Sequence, residues 1–430
     1  MTVPAELYRN AIDLNRFSNG VARRIINVYN DIIIRAVNEL RIIDDLGLDD
    51  DGQLFRAARL RSILAQLKVS LDGWAGDATQ FTVSQLQGVA ELQSEFVTQQ
   101  LRNVLPRGER SLVNTVEVSG DFAQSVVLTD PTDVNVVALS DDLYKAVYGV
   151  PDPGVQGIVG RATFNLTATQ GTTITLPNGK TVAKAFRGLA ESQAALFGQI
   201  VRQGLLSGQT LPQITRRLKG RLKFGDYAPL SVGQVRAAGL SMKQLQQAGG
   251  ELTAVANHQV MTLVRTSVNQ VTNTAAMNVY EANNDITKKY EYIATLDART
   301  TAICMALDGQ QFEYGKGPEP PQHFNCRSTI AAVVDYDNLP FSAPDDEGER
   351  AAIGGMVPAD MKYGDWIAQP ENVSIRVKAL GKGRADYFDK LRRQPGMNPQ
   401  KALQKLVRDD GSEVTLEELR NRYGPINANN

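Results

Sequence analysis

The chain has 430 residues, 42% hydrophobic and 22% charged, with a formal net charge of -1. This is an ordinary globular composition, long enough for roughly two to four domains, and it excludes a global cationic field that would coat DNA or an anionic membrane. Cysteine and histidine occur twice each, which excludes a disulfide framework and confines thiol and imidazole chemistry to very few places.

Met1 to Glu6 carries no basic stretch followed by an apolar run, so no secretory signal is expected. No apolar run is long enough to span a bilayer; Ile32 to Ile34 is cut by Arg35. The chain is expected to be made and used in a cytoplasm, or inside a particle assembled there.

The first part reads as a helical region, residues 1–110. Val21, Ile25, Val28, Ile32, Ala36 and Leu40 recur at three and four, lining one helix face. Leu60, Leu64, Leu67, Leu71 and Trp74 repeat the pattern, and Leu86, Val89, Phe96 and Leu101 follow it more loosely. Asp49 to Gly52 separates the first two helices, and such stripes pack on one another as a bundle.

Residues 111–184 change character and read as a small β-rich insertion. Thr115–Val118, Val126–Leu128 and Val134–Leu139 are short and β-branched. Thr172–Leu176 and Lys180–Val182 flank Asn178-Gly179, a pair that tolerates positive φ, and predict a hairpin.

Helical periodicity resumes near Ala185, opening a third region over 185–335. Leu196, Ile200, Leu205 and Leu206 mark one helix, and Thr210 is placed to cap the next. The cluster Arg216, Arg217, Lys219, Arg221 and Lys223 reads as a solvated face; no aromatics interleave it as on a nucleic-acid stacking platform. A long helix spans roughly Leu252 to Glu281, and His258 near its start reads as an ordinary packed or surface residue.

Tyr290 to Leu296 alternates like a strand and ends at Asp297; Thr300 and Gly309 then bracket a short helix. A proline-rich loop leads to His323-Phe324-Asn325-Cys326-Arg327-Ser328, and Thr329 to Val334 reads as a strand. Cys304, His323 and Cys326 are plausible zinc ligands, because zinc takes thiolate and imidazole in a tetrahedron and His-x-x-Cys puts two of them on one turn. The count leaves a fourth ligand missing; Asp297 is the first candidate and Asp308 the second. The other reading is a metal-free core in which two thiols and one imidazole pack together.

These residues carry a resemblance. Leu263 to Asn269 with its Arg265-Thr266 pair, Thr295-Leu296-Asp297-Ala298-Arg299-Thr300, Cys304, Asp308-Gly309, Pro320-Pro321, His323 and Cys326-Arg327 occur in this order. The sequence thereby resembles the phage Mu protein F-like family of head morphogenesis proteins. Some members have extra cysteines where this chain has Thr301 and Ser328. In the tail, residues 336–430, Val357 to Trp366, Leu380 to Ala385 and Thr415 to Arg420 are similar to the family's ends. The resemblance covers roughly 185 to 425, is loose over the N-terminal helices and is absent from the β-rich stretch.

The residue patterns and the resemblance together give a mainly α-helical α+β fold: an N-terminal bundle, a β-rich insertion, and an α+β Cys/His domain with a helical tail. The resemblance also implies a non-enzymatic minor capsid protein of a tailed bacteriophage, located in the virion head near the portal vertex. Its partners would be the portal protein or the major capsid protein, with packaged DNA as a further contact; a structural zinc is what the Cys/His residues themselves offer as cofactor. The competing readings are a zinc-dependent hydrolase or toxin-like effector, and a scaffold that leaves before maturation. The basic stretch Arg376, Lys378, Lys382, Arg384, Lys390, Arg392 and Arg393 reads as a solvated helix face, with contact to DNA or an acidic portal surface as the sharper alternative. Gly381-Lys382-Gly383 lacks the spacing of a phosphate loop.

Overall fold

The computed structural model describes residues 5–45, 53–106, 113–119, 161–165, 176–206, 252–336, 348–408 and 411–426, with a few single positions between them. Four long helices form its largest unit: α1 (Ala5–Asp45), α2 (Gln53–Val104), α3 (Val182–Leu206) and α4 (Leu252–Ala282). α4 packs against all three others, and α2 packs against α1 and α3. Because α1 faces two neighbours, it buries more than the single expected stripe. Ala22, Ile26, Tyr29, Ile33 and Val37 are buried as well as Val21, Ile25, Ala36 and Leu40, whereas Val28 and Ile32 are only partly covered.

Polar side chains fix the register of the bundle. α1 and α2 run antiparallel: Asn10 donates to Gln93 at 2.7 Å, Trp74 donates to the Ile25 carbonyl at 3.0 Å, and Arg59 pairs with Glu39. The Tyr29 hydroxyl donates to Gln193 on α3 at 3.0 Å. The Trp74 ring lies 5.3 Å from Tyr29 and 5.9 Å, edge-on, from Phe186. The two apolar repeats over 60–101 lie on one continuous helix. Its buried threonines are tolerated because Thr79, Thr82 and Thr98 each return a hydrogen bond to the carbonyl four residues earlier.

Within the β-rich stretch, β1 (Thr115–Ser119) and β2 (Arg161–Asn165) pair in parallel. Val126–Leu128, Val134–Leu139 and residues 172–175 lie outside the described residues, as does the basic cluster Arg216 to Lys223. The expected strand Lys180–Val182 is corrected. Gly179 sits at φ +74° in a turn closed by Leu176 N–H to Lys180 O at 2.9 Å, and Val182 already starts α3. Thr181 caps it, accepting from Lys184 N–H at 3.2 Å, so the Asn-Gly turn serves as a helix entry. Thr210 exchanges hydrogen bonds with Gln213 as a capping residue does.

A three-stranded antiparallel sheet follows α4, in the order β4 (Gln311–Glu313), β3 (Thr287–Ile293), β5 (Thr329–Val334). The short helix α5 (Ala302–Leu307) stands between β3 and β4. It is preceded by Thr301, not capped by Thr300, whose hydroxyl donates to the Thr295 carbonyl instead. Val97 and Leu101 of α2, Tyr280 of α4, and Tyr290 and Ile330 of the sheet share one core, so bundle and sheet are joined.

A hairpin of β6 (Glu349–Ala352) and β7 (Gly355–Pro358) leads into five short helices: α6 (Tyr363–Ala368), α7 (Val373–Leu380), α8 (Lys382–Leu391), α9 (Pro399–Gln404) and α10 (Leu416–Tyr423). Thr415 and Glu418 form a capping box on α10. Tyr363, Trp366, Phe388, Leu403 and Leu419 close this core on Leu296 and Met305 of the Cys/His segment. The basic stretch of the tail is largely spoken for. Arg376 and Arg392 pair with Asp389, Lys382 with Asp386, Arg384 with Glu413, and Lys390 donates to the Tyr423 carbonyl. No helix among the described residues is long and apolar enough to cross a membrane.

α6 and α9 touch through Gly364. A Cβ there would stand 2.5 Å from the Gln400 backbone, so neither helix can yield without moving. Gly364→Ala is expected to lower unfolding free energy by about 1–3 kcal/mol. Gly76→Ala, at an exposed α2 site where a Cβ meets nothing within 4 Å, is expected to raise it by about 0.5–1 kcal/mol. Chemical denaturation of both variants beside the parent checks the pair.

Candidate functional site

The site lies where β3, α5 and the loop before β5 meet the middle of α4. Helix α4 supplies the floor. Thr266 Oγ1 donates to Thr262 O at 2.7 Å and accepts from Asn325 N–H at 3.0 Å, while Asn325 Nδ2 reaches Thr262 Oγ1 at 2.9 Å. One turn further, Asn269 donates to Ser328 O at 3.0 Å. These bonds hold the His-x-x-Cys turn, in which Asn325 takes φ +59°, a conformation asparagine tolerates better than most residues. The Arg-Thr pair thus works structurally through its threonine.

Cys304 comes from α5, and His323 and Cys326 from the turn. Their Sγ atoms are 3.7 Å apart, and Cys304 Sγ is 3.3 Å from His323 Nε2. All three donor atoms lie within 4.8 Å of one another. That sulfur separation is far too long for a disulfide, and both cysteines are free and buried. Two thiolates at about 2.3 Å on a tetrahedral zinc would stand about 3.8 Å apart, so the observed spacing suits a shared metal. The imidazole is oriented for it: Nδ1 faces the Phe324 carbonyl at 2.9 Å, which leaves Nε2 towards the sulfurs.

The three groups shift one another's protonation in opposite directions. The Cys304 thiol hydrogen-bonds Cys326 and, with burial, is held protonated, its pKa pushed up. Cys326 is driven well below a normal thiol by that same bond and, against burial, by His323. Burial would lower His323, but the Cys326 sulfur beside it carries its pKa upward. The Tyr292 hydroxyl, 3.2 Å from Cys304 Sγ, closes the buried side.

Neither aspartate joins them. Asp297 accepts a bidentate pair from Arg327 at 2.5 and 2.7 Å, the Arg299 amide at 2.8 Å and, more distantly, the Arg299 guanidinium at 3.4 Å. Burial opposes its charge, but Arg327 and the Arg299 amide outweigh burial and hold the carboxyl below its usual range. Asp308 is fully buried. It accepts both Arg350 nitrogens at 3.1 Å, Ala294 N–H at 2.7 Å and Tyr363 N–H at 2.6 Å. Their expected place as the fourth ligand is therefore taken by arginine and backbone donors, and the geometric cluster is Cys304, His323 and Cys326. His258 stands apart on α4, its pKa lowered by burial and by Arg265.

Arg350 and Gln400, in the tail, were not singled out by sequence. Gln400 donates to the carbonyls of Met305 and Asp308 at 2.8 and 3.0 Å and accepts from Gly364. No local pattern marks either residue, because their partners are 42 and 92 positions away.

Two outcomes follow. Asp308→Asn strands Arg350 without a counter-charge and is expected to cost about 3–5 kcal/mol, read by denaturant unfolding. Asp297, with its carboxyl depressed in the fold, stabilises above the unfolded value of 3.8 and loses that contribution as pH falls through its folded value. Asp297→Asn should cost about 2–3 kcal/mol at pH 7, less than a wholly buried pair, and flatten the stability loss below about pH 4.

Residues 197–331 match the family model described as Phage Mu protein F like protein. The match runs from the end of α3 into β5 and contains the whole cluster. No curated protein and no solved structure matches the chain.

Proposed function

We propose, from the match of residues 197–331 to the Phage Mu protein F like family model, that this chain is a minor head protein of a tailed bacteriophage, docked at the portal vertex and contributing to head assembly or genome delivery. One observation carries the reading. The matched segment holds Arg265, Thr266, Asp297, Cys304, Asp308, His323 and Cys326, and these fold around one Cys/His cluster and its supporting ion pairs. Head proteins that touch it, portal or major capsid protein, are its partners, and the four-helix bundle offers long solvated faces for docking.

The Cys304/His323/Cys326 cluster takes a structural zinc in this reading. The sulfur spacing and the Nδ1 bond to a backbone carbonyl support it. Two thiolates and a neutral imidazole would bind the ion, a non-protein ligand would complete the tetrahedron, and the metal would lock α5 to the turn. A zinc hydrolase is the other reading, since three protein ligands are what catalytic zinc keeps. It requires a base beside the metal, and the nearby aspartates are both committed to arginines.

Mass spectrometry of purified virions and of emptied particles, scaled to portal protein, tests the assignment. A fixed low copy number in virions is expected, and loss on emptying would add ejection with the genome. Absence from virions would instead favour a scaffold or an enzyme. For the metal, protein purified without chelator should carry about one zinc per chain, and Cys326→Ser should lose it together with thermal stability. Zinc-free parent protein, or an unchanged melt for Cys326→Ser, would remove the metal from the proposal.

A further inference from the structure

Beside the Cys/His cluster, between α1 and α4, opens a cleft of about 230 Å³. Among the described residues its ionisable lining is Arg265, Arg299, Arg327, His323 and Cys326, with no carboxylate. Three arginines therefore line one cleft, and the carboxylate beside it, Asp297, is already bound to Arg327 and Arg299.

Arg265 is the least compensated of the three. Its Nε donates to Asn19 Oδ1 at 2.7 Å, which aims the guanidinium, and no carboxylate pairs with it among the described residues. Burial, then Arg299 and Arg327, all disfavour its charge. Like charges gather in this way at a cost that an anion in the middle would offset. Thr272 and Thr301 also line the cleft, and their hydroxyls have no protein partner.

We infer that this cleft is a phosphate site, in which Arg265, Arg299 and Arg327 grip one tetrahedral oxyanion. Guanidinium forks suit phosphate oxygens, which accept two parallel N–H bonds from each. The cleft has room for a phosphate group and its arginines match phosphate oxygens, so a nucleic-acid source would present its backbone and be read without regard to sequence. Backbone phosphate of DNA and free inorganic phosphate share this chemistry. The inference does not rest on the virion assignment, because it is measured on purified protein alone.

The full-length chain is titrated with inorganic phosphate by calorimetry, and with a short fluorescent DNA duplex across a salt series. Phosphate is expected to bind and to raise Tm, and Arg265→Gln to weaken binding at least about tenfold while leaving the phosphate-free Tm unchanged or higher, since a like charge is removed. Duplex binding whose log–log salt slope drops by about one in Arg265→Gln would identify the backbone as the source. Phosphate binding without duplex binding would identify the free ion. Arg299→Gln, at a side chain 68% exposed, provides the same comparison should Arg265→Gln fail to fold. Absence of binding by both probes, or equal affinity in the parent and the folded variants, would overturn the site.

Discussion

A single carboxylate with no exposure, that of Asp308, holds the C-terminal half together. Its two oxygens take four donors from three separated stretches: the end of β3, the guanidinium of Arg350 on β6, and the first turn of α6. Arg350 in turn donates to the carbonyls of Ala294 and Met361 at 2.6 and 2.8 Å. A charge taken out of water survives only when its lone pairs are all answered, and here they are answered by backbone whose position defines the fold. The Cys/His cluster inherits its geometry from this arrangement, since α5, which carries Cys304, ends at Asp308.

Much of the helical framework was legible in the sequence, because apolar side chains at three and four report a buried helix face directly. The stripe from Val21 to Leu40 and the long run from Leu252 correspond to α1 and α4. One weak signal and one error have physical causes. The loosened repeat after Trp74 reflects a helix that passes from one set of neighbours to another, since Trp74 packs in the bundle and Val97 against the sheet. The Asn-Gly signal reports a backbone that must turn, and it cannot say whether a strand or a helix comes next.

The cluster of Cys304, His323 and Cys326 was legible because scarce residues at ligand spacing have few other reasons to coincide. The roles of Asp297 and Asp308 were not. A carboxylate near thiols looks like a ligand until the fold shows that Arg327 and Arg350 stand closer in kind: each offers a planar fork that two carboxylate oxygens match. Arg350 lies beyond the matched segment, so the family pattern alone does not account for the charge balance of its own core.

The placement of Leu7 sets an order of events during synthesis. It is buried against Ile293, Ala331 and Ala359, so the opening turns of α1 rest on the sheet and the hairpin, elements that leave the ribosome far later. At roughly 5–20 residues per second, the wait is on the order of tens of seconds. Through that interval Leu7 lacks the sheet and hairpin surface that buries it, so a segment translated well before those elements is sealed only after them.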